Sequence, residues 1–266
     1  MADSAEYETL LLVVRDHVAH ITLNRPNAGN ALNAETARDL EAALRRCRED
    51  AAVRAVMLTG AGANFCVGGD LKAFEAQGAH LPAYIAEILA HLHPAIAHIA
   101  AMDAPVIAVV NGAAAGGGMS LACACDLILA AESARFTLAY TRIGLSLDGS
   151  SSYFLPRLIG LRRTLELALT NRALSAREAQ DWGLVTTVVT DGALAEAAET
   201  LAARLASGAP QALGAAKWLL RGSFAESLAA QMDHEQEMIQ ALAGTSDGRE
   251  GIGAFLAKRA PTFTGE

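Results

Sequence analysis

Two glycine turns, Phe65-Cys66-Val67-Gly68-Gly69-Asp70 and Asn111-Gly112-Ala113-Ala114-Ala115-Gly116-Gly117-Gly118, each close an apolar strand-like run and open a helical segment. Small residues at both turns let a ligand carbonyl approach the backbone, and a helix N-terminus presents unpaired N–H groups of partial positive charge. Taken singly, each turn is a tight strand-to-helix connection. Taken together, they supply two amides able to hold an enolate oxygen. Preorganised donors of this kind, removed from water, are worth about 3–4 kcal/mol each to a reaction that builds negative charge on oxygen.

The strand-like runs recur at 18–23, 53–59, 105–110, 127–131 and 184–189 with helical patterns between them, which predicts an α/β core. A helix after Asn33 carries a capping signature, acids at Glu35 and Asp39, and apolar positions Leu40, Ala43, Leu44 and Cys47. Its expected role is to cover the sheet. The stretch 71–100, interrupted by Gly78 and Pro82, predicts a loop and helix that move when ligand binds. From Ala193 onward the strand signal vanishes, and helices are expected at 193–207, 209–221, 224–243 and 247–259. The chain thus divides into a core over 1–192 and a helical region over 193–266. Alanine-rich helices bury little area as a free-standing bundle, so this region is expected to pack on the core or on a second copy, making the protein a homo-oligomer.

Composition narrows the partners. An apolar fraction of 52% over 266 residues supplies a core without staples, and a net charge of −8 argues against nucleic acid or an anionic membrane as a general partner. Arg45, Arg46 and Arg48 form one small basic cluster, read as a solvated helix face. Cys47, Cys66, Cys123 and Cys125 lack the spacing of disulfide frameworks or zinc sites, so the expectations are a reducing, cytoplasmic home and no metal. No charge-free apolar run reaches membrane-spanning length, and the acidic start is unlike a secretory signal, so no membrane or targeting segment is expected.

Several blocks in register make the sequence similar to the crotonase, or enoyl-CoA hydratase/isomerase, superfamily along nearly its whole length. They include Ile21-Thr22-Leu23-Asn24-Arg25-Pro26, Asn30-Ala31-Leu32-Asn33, the two glycine turns, Cys125-Asp126-Leu127-Ile128, Phe154-Leu155-Pro156-Arg157, Leu174-Ser175-Ala176-Arg177-Glu178-Ala179 and Trp182-Gly183-Leu184-Val185. The resemblance implies a spiral of repeated ββα units and a C-terminal helical region that makes trimers or dimers of trimers. It also implies an acyl-CoA thioester as substrate, with coenzyme A entering as part of it and no separate cofactor. By the family pattern the oxyanion donors are the N–H groups of Gly69 and Gly117. Arg25, Cys66, Val67, Gly116, Ser120 and Tyr140 are placed at the substrate, and Phe255 and Lys258 approach the coenzyme A from a neighbouring subunit.

The chain departs from the hydratase pattern where it matters most. The resemblance places two glutamates in hydratases at the positions held here by Ser120 and Tyr140. Neutral serine and tyrosine are poor general bases at neutral pH, which argues against two-carboxylate hydration. Eight residues after Tyr140 stands Asp148. The family has aspartate there in some double-bond isomerases, in the ring-1,2-epoxyphenylacetyl-CoA isomerase and in 4-chlorobenzoyl-CoA dehalogenase, and the block after Asp148 is most similar to the ring-epoxide isomerase group. The dehalogenases have tryptophan where this chain has Tyr140. One carboxylate suffices for a 1,3-proton shift, so Asp148 is the expected proton carrier of an acyl-CoA isomerase. Aspartate before Gly149-Ser150-Ser151 also suits a turn or helix cap. A hydratase with another water-activating arrangement and a non-catalytic acyl-CoA binder are the competing functions.

Among the remaining polar residues, Asp70 is expected to cap a helix, and His91 and His93 to be surface or packing residues. His98 and His234 have no evident partner, and Trp182 and Trp218 are expected in the core. The acyl pocket is expected from residues 73–92, Met119, Tyr140, Leu145 and the C-terminal helices.

Overall fold

The computed structural model describes residues 3–266. Strands β1 (Asp3–Glu6), β2 (Leu10–Arg15) and β3 (Val18–Leu23) form an antiparallel meander, which α1 (Ala34–Glu49) follows. A repeating unit then begins: one strand enters a large sheet, the next enters a small one, and helix follows. Its first turn is β4 (Ala55–Gly60), β5 (Asn64–Cys66), α2 (Leu71–Gln77) and α3 (Leu81–Ala101). Its second is β6 (Val106–Val110), β7 (Ala113–Ala115) and α4 (Gly117–Ala124), and its third is β8 (Leu127–Ala131), β9 (Arg135–Thr137), α5 (Ser151–Ile159) and α6 (Leu161–Thr170). The last turn is reversed, with β10 (Leu174–Ser175) in the small sheet, α7 (Ala176–Asp181), and β11 (Thr187–Val189) in the large one. Helices α8 (Leu194–Ala206), α9 (Pro210–Gly222), α10 (Leu228–Ala243) and α11 (Ser246–Leu256) complete the chain.

The large sheet runs β1-β2-β3-β4-β6-β8-β11 and is parallel from β3 onward; the small one runs β10-β9-β7-β5 with β5, β7 and β9 parallel. This is the spiral of ββα units that the resemblance implies. The runs at 18–23 and 127–131 coincide with β3 and β8, while those at 53–59, 105–110 and 184–189 overlap β4, β6 and β11. β1, β2 and the whole small sheet have no counterpart among the expected strands.

Local chemistry explains the helix positions. Asn33 accepts the Thr36 N–H at 2.9 Å and starts α1, whose apolar stripe Leu40, Ala43, Leu44 and Cys47 joins the main core with β2, β3 and α3. Gly78, at φ +50°, separates α2 from α3, and Pro82 occupies the first turn of α3, where its missing N–H costs nothing. The unbroken apolar strand β6 is buried on both faces. On its far side α8 lays a stripe of Leu194, Ala198, Ala202 and Ala206 against Ile107, Val109 and Leu129. Ser227, rather than Phe224, begins α10, because its hydroxyl accepts the Ala230 N–H. Helix α9 is pinned to the core by Lys217 and Arg221, which reach Asp126 at 2.7 and 2.9 Å. The outer faces of α9, α10 and α11 leave Leu220, Leu228, Ile239 and Phe255 exposed, as does the link between α9 and α10 for Phe224. Trp218 is half exposed and stands edge-on to His234, so it is not the core residue expected from its apolar neighbours.

Candidate active site

Because β5, β7 and β9 are adjacent and parallel, the turns that follow them emerge at one edge of the small sheet. Carboxyl ends of parallel strands are where such folds form ligand crevices. The first two turns interlock backbone against backbone. A Cβ on Gly118 would lie 2.1 Å from the Cys66 carbonyl oxygen, and one on Gly68, whose φ is +95°, would lie 2.8 Å from that of Ala115. Only glycine permits this approach. Leu32 clamps the first turn from a third segment: its N–H donates to Gly68 O at 2.7 Å, and its carbonyl accepts the Asp70 N–H at 2.9 Å. Among the described residues, neither the Gly69 nor the Gly117 N–H has an acceptor in the chain. Both glycines, with Gly116 and Val67, line a cavity of about 300 Å³.

The third turn brings Tyr140 and, farther on, Asp148 into the same wall. Ser120, fully buried on α4, lies 2.9 Å from the Tyr140 hydroxyl and 3.0 Å from the Asp148 carbonyl oxygen. Tyr140 Oη is itself 3.2 Å from that carbonyl, to which Ser151 Oγ also donates at 2.9 Å. Ser120 and Tyr140, at whose positions the resemblance implies glutamates in hydratases, therefore buttress the backbone of Asp148. Burial pushes the Tyr140 phenol well above its ordinary value, outweighing its hydrogen bond with Ser120, so it stays neutral. Ala139 and Ser150, on either side, adopt left-handed conformations at φ +54° and +67°, strain that the packed turn sustains.

Apart from Ser146, the rest of the cavity wall is apolar: Leu71 and Phe74 from α2, Ile85, Ile88, Leu89 and Leu92 from α3, and Ile143, Leu145 and Leu147 from the turn before Asp148. Among the described lining residues Asp148 is the one carboxylate. Residues from 73–92 do contribute as expected, but Met119 is wholly buried in the core and, among the described residues, none from α8 to α11 lines this wall. Arg25 stands behind the wall, donating to Asp70 at 2.8 Å and to Ala31 O at 2.6 Å, while Asp70 accepts the Ala73 N–H and caps α2. Burial raises the Asp70 carboxyl, but Arg25 and the cap outweigh it and hold the group below its usual value. Cys66 is fully buried behind its turn, and burial pushes its thiol up to about 12. Phe255 is 83% exposed at the end of α11, and Lys258 follows it on the surface.

One residue of the site lies outside those expected. His93 Nε2 is 3.0 Å from Asp148 Oδ1. Its neighbour His91 faces Glu41 on α1 at 2.5 Å, so the two histidines do diverge, yet only His91 is a packing residue. The signal in the sequence is the four-residue spacing of Ile85, Leu89 and His93 along one stripe of α3.

Residues 14–266 match the sequence model of the family described as Enoyl-CoA hydratase/isomerase. The chain belongs to this family. Within it, the chain is 39% identical over 262 residues to 1,2-epoxyphenylacetyl-CoA isomerase of Escherichia coli (strain K12), covering 97% of this chain and 99% of the relative. It is 36% identical over 261 residues to (E)-benzylidenesuccinyl-CoA hydratase of Thauera aromatica, covering 96% and 98%. The crystal structure of an enoyl-CoA hydratase from Polaromonas sp. JS666 superposes with a TM-score of 0.89 at 35% identity, covering 99% of both chains. Enoyl-CoA hydratase/isomerase relatives are thus named for both chemistries, and acyl-CoA thioesters are the substrates of the family.

Proposed function

We propose that this member of the family is an acyl-CoA isomerase in which Asp148 carries the migrating proton. The observation that supports it most is the use of Ser120 and Tyr140 to brace the Asp148 backbone, leaving Asp148 as the one carboxylate at the cavity wall. Asp148 removes a proton from a carbon acidified by the thioester. The N–H groups of Gly69 and Gly117 hold the enolate oxygen, and the carboxyl returns a proton one allylic position away. The same device serves rearrangement of a ring-oxidised arylacetyl-CoA, the substrate class named for the Escherichia coli relative.

The apolar faces left on α10 and α11 support a homotrimer or a dimer of trimers, in which Phe255 and Lys258 would approach the coenzyme A of a neighbouring subunit. All four cysteines are buried free thiols, which supports a reducing, cytoplasmic home. Among the described residues no helix is long and apolar enough to cross a membrane.

The test compares wild type with Asp148→Asn on 3-enoyl-CoA and 2-enoyl-CoA in heavy-oxygen water, reading product mass. Isomerisation without isotope uptake, lost by at least a hundredfold in the variant, is expected. Heavy-oxygen uptake that survives the substitution would mean a hydratase, and thioester binding without turnover would mean a non-catalytic binder.

A further inference from the structure

The Asp148 carboxylate meets an exposed histidine, His93. Ile85 and Leu89 line the cavity, and His93, one turn farther along the same stripe of α3, stands at its rim. The His93 side chain is 55% exposed and that of Asp148 30%, with Nε2 and Oδ1 3.0 Å apart. The hydroxyls of Ser120, Tyr140 and Ser151 all engage the Asp148 backbone carbonyl, so among the described residues His93 is the side chain that meets the carboxylate itself.

We propose that His93 is the positioning and proton-exchanging partner of Asp148, through which the proton taken from substrate equilibrates with solvent before it is returned. The proposal rests on Asp148 being the base of the isomerase. Asp148 takes a proton from the carbon next to the thioester, and the C–H electron pair remains as the enolate. With neutral His93 as acceptor, the proton passes from the carboxyl to Nε2. The half-exposed imidazolium releases it to water and brings back a solvent proton, which Asp148 then delivers to carbon. Only protons move, and the net charge is restored at each return. With an acyl group in the cavity covering the carboxyl, an aspartate without this partner would hand the proton that it took back to the same substrate.

The experiment measures deuterium wash-in at the α-carbon of phenylacetyl-CoA in heavy water, a thioester with no double bond to migrate, and deuterium content in the product of 3-enoyl-CoA. Wild type is expected to exchange α-protons. His93→Gln keeps a hydrogen-bonding group beside Asp148 but cannot take up and release a proton, so exchange should fall at least tenfold while the fraction of substrate-derived proton retained in isomerised product rises. Added imidazole should restore exchange in His93→Ala. A His93→Gln variant that exchanges at the wild-type rate overturns the proposal alone, and a wild type that never exchanges overturns it equally. Exchange persisting in Asp148→Asn would instead remove Asp148 as the base, and the His93 proposal with it.

Discussion

Ser120 Oγ lies 2.9 Å from Tyr140 Oη, and both hydroxyls converge on the carbonyl oxygen of Asp148. Two neutral groups thereby hold one carboxylate-bearing turn in place. Tyr140→Phe removes one hydroxyl but leaves Ser120 its bond to the carbonyl. The expected cost is about 1 kcal/mol in urea denaturation. Catalytic turnover should fall by roughly tenfold or less, equivalent to about 1.4 kcal/mol. A drop on the order of a thousandfold would mean that the phenol is itself an acid in the reaction.

The interlock of the two glycine turns makes a sharper prediction. In Gly118→Ala the new Cβ meets the Cys66 carbonyl oxygen at 2.1 Å, a backbone atom that cannot swing aside. A loss of at least about 3 kcal/mol is expected, with the two oxyanion amides pushed apart. Gly117→Ala meets only the end of the Leu32 side chain, at 2.9 Å, and should melt close to wild type. Thermal denaturation of the pair checks the contrast.

Acid stability should depend on Glu178. The Ser175 N–H first, and then the Arg172 guanidinium, hold its carboxyl down to about 2 from an ordinary 4.5. The unfolded chain therefore binds a proton near pH 4.5 that the folded chain refuses until about pH 2. The contribution is complete above pH 4.5 and is lost as pH falls through 2. Melting curves across this range should show the difference between wild type and Glu178→Gln shrinking as the solution is acidified.

Leu228, Met232 and Ile239 lie on one stripe of α10 and are all at least half exposed. Charged substitutions there should leave the fold of one chain intact and break association between copies. If the proposed trimer or dimer of trimers forms through this stripe, light scattering is expected to give three or six chains for wild type and a single-chain mass for Leu228→Glu/Ile239→Glu. An unchanged mass would put the subunit interface elsewhere.

The repeating strand-helix order, the cap at Asn33, the divergence of His91 from His93 and the two glycine turns were all legible in the sequence, because each is written in a local pattern. β3 and β8 were legible to the residue, since their apolar runs end abruptly. The small sheet was not, because strands of two or three residues, such as β5, β7 and β10, have no room to show a period. Its absence from the sequence pattern hid why the site exists where it does: pairing of β5, β7 and β9 brings three separate turns to one edge.

By itself the sequence determined the family, the two glycine turns, and serine and tyrosine at 120 and 140, where the resemblance places glutamates in hydratases, all carried by residue type at short spacing. Tertiary structure alone decided what those replacements do, and that His93 meets Asp148. Tyr140 meets Asp148 within one turn, 8 residues apart, but Ser120 and His93 stand 28 and 55 residues from Asp148, and only the packing of α4 and α3 against that turn brings them within hydrogen-bond reach.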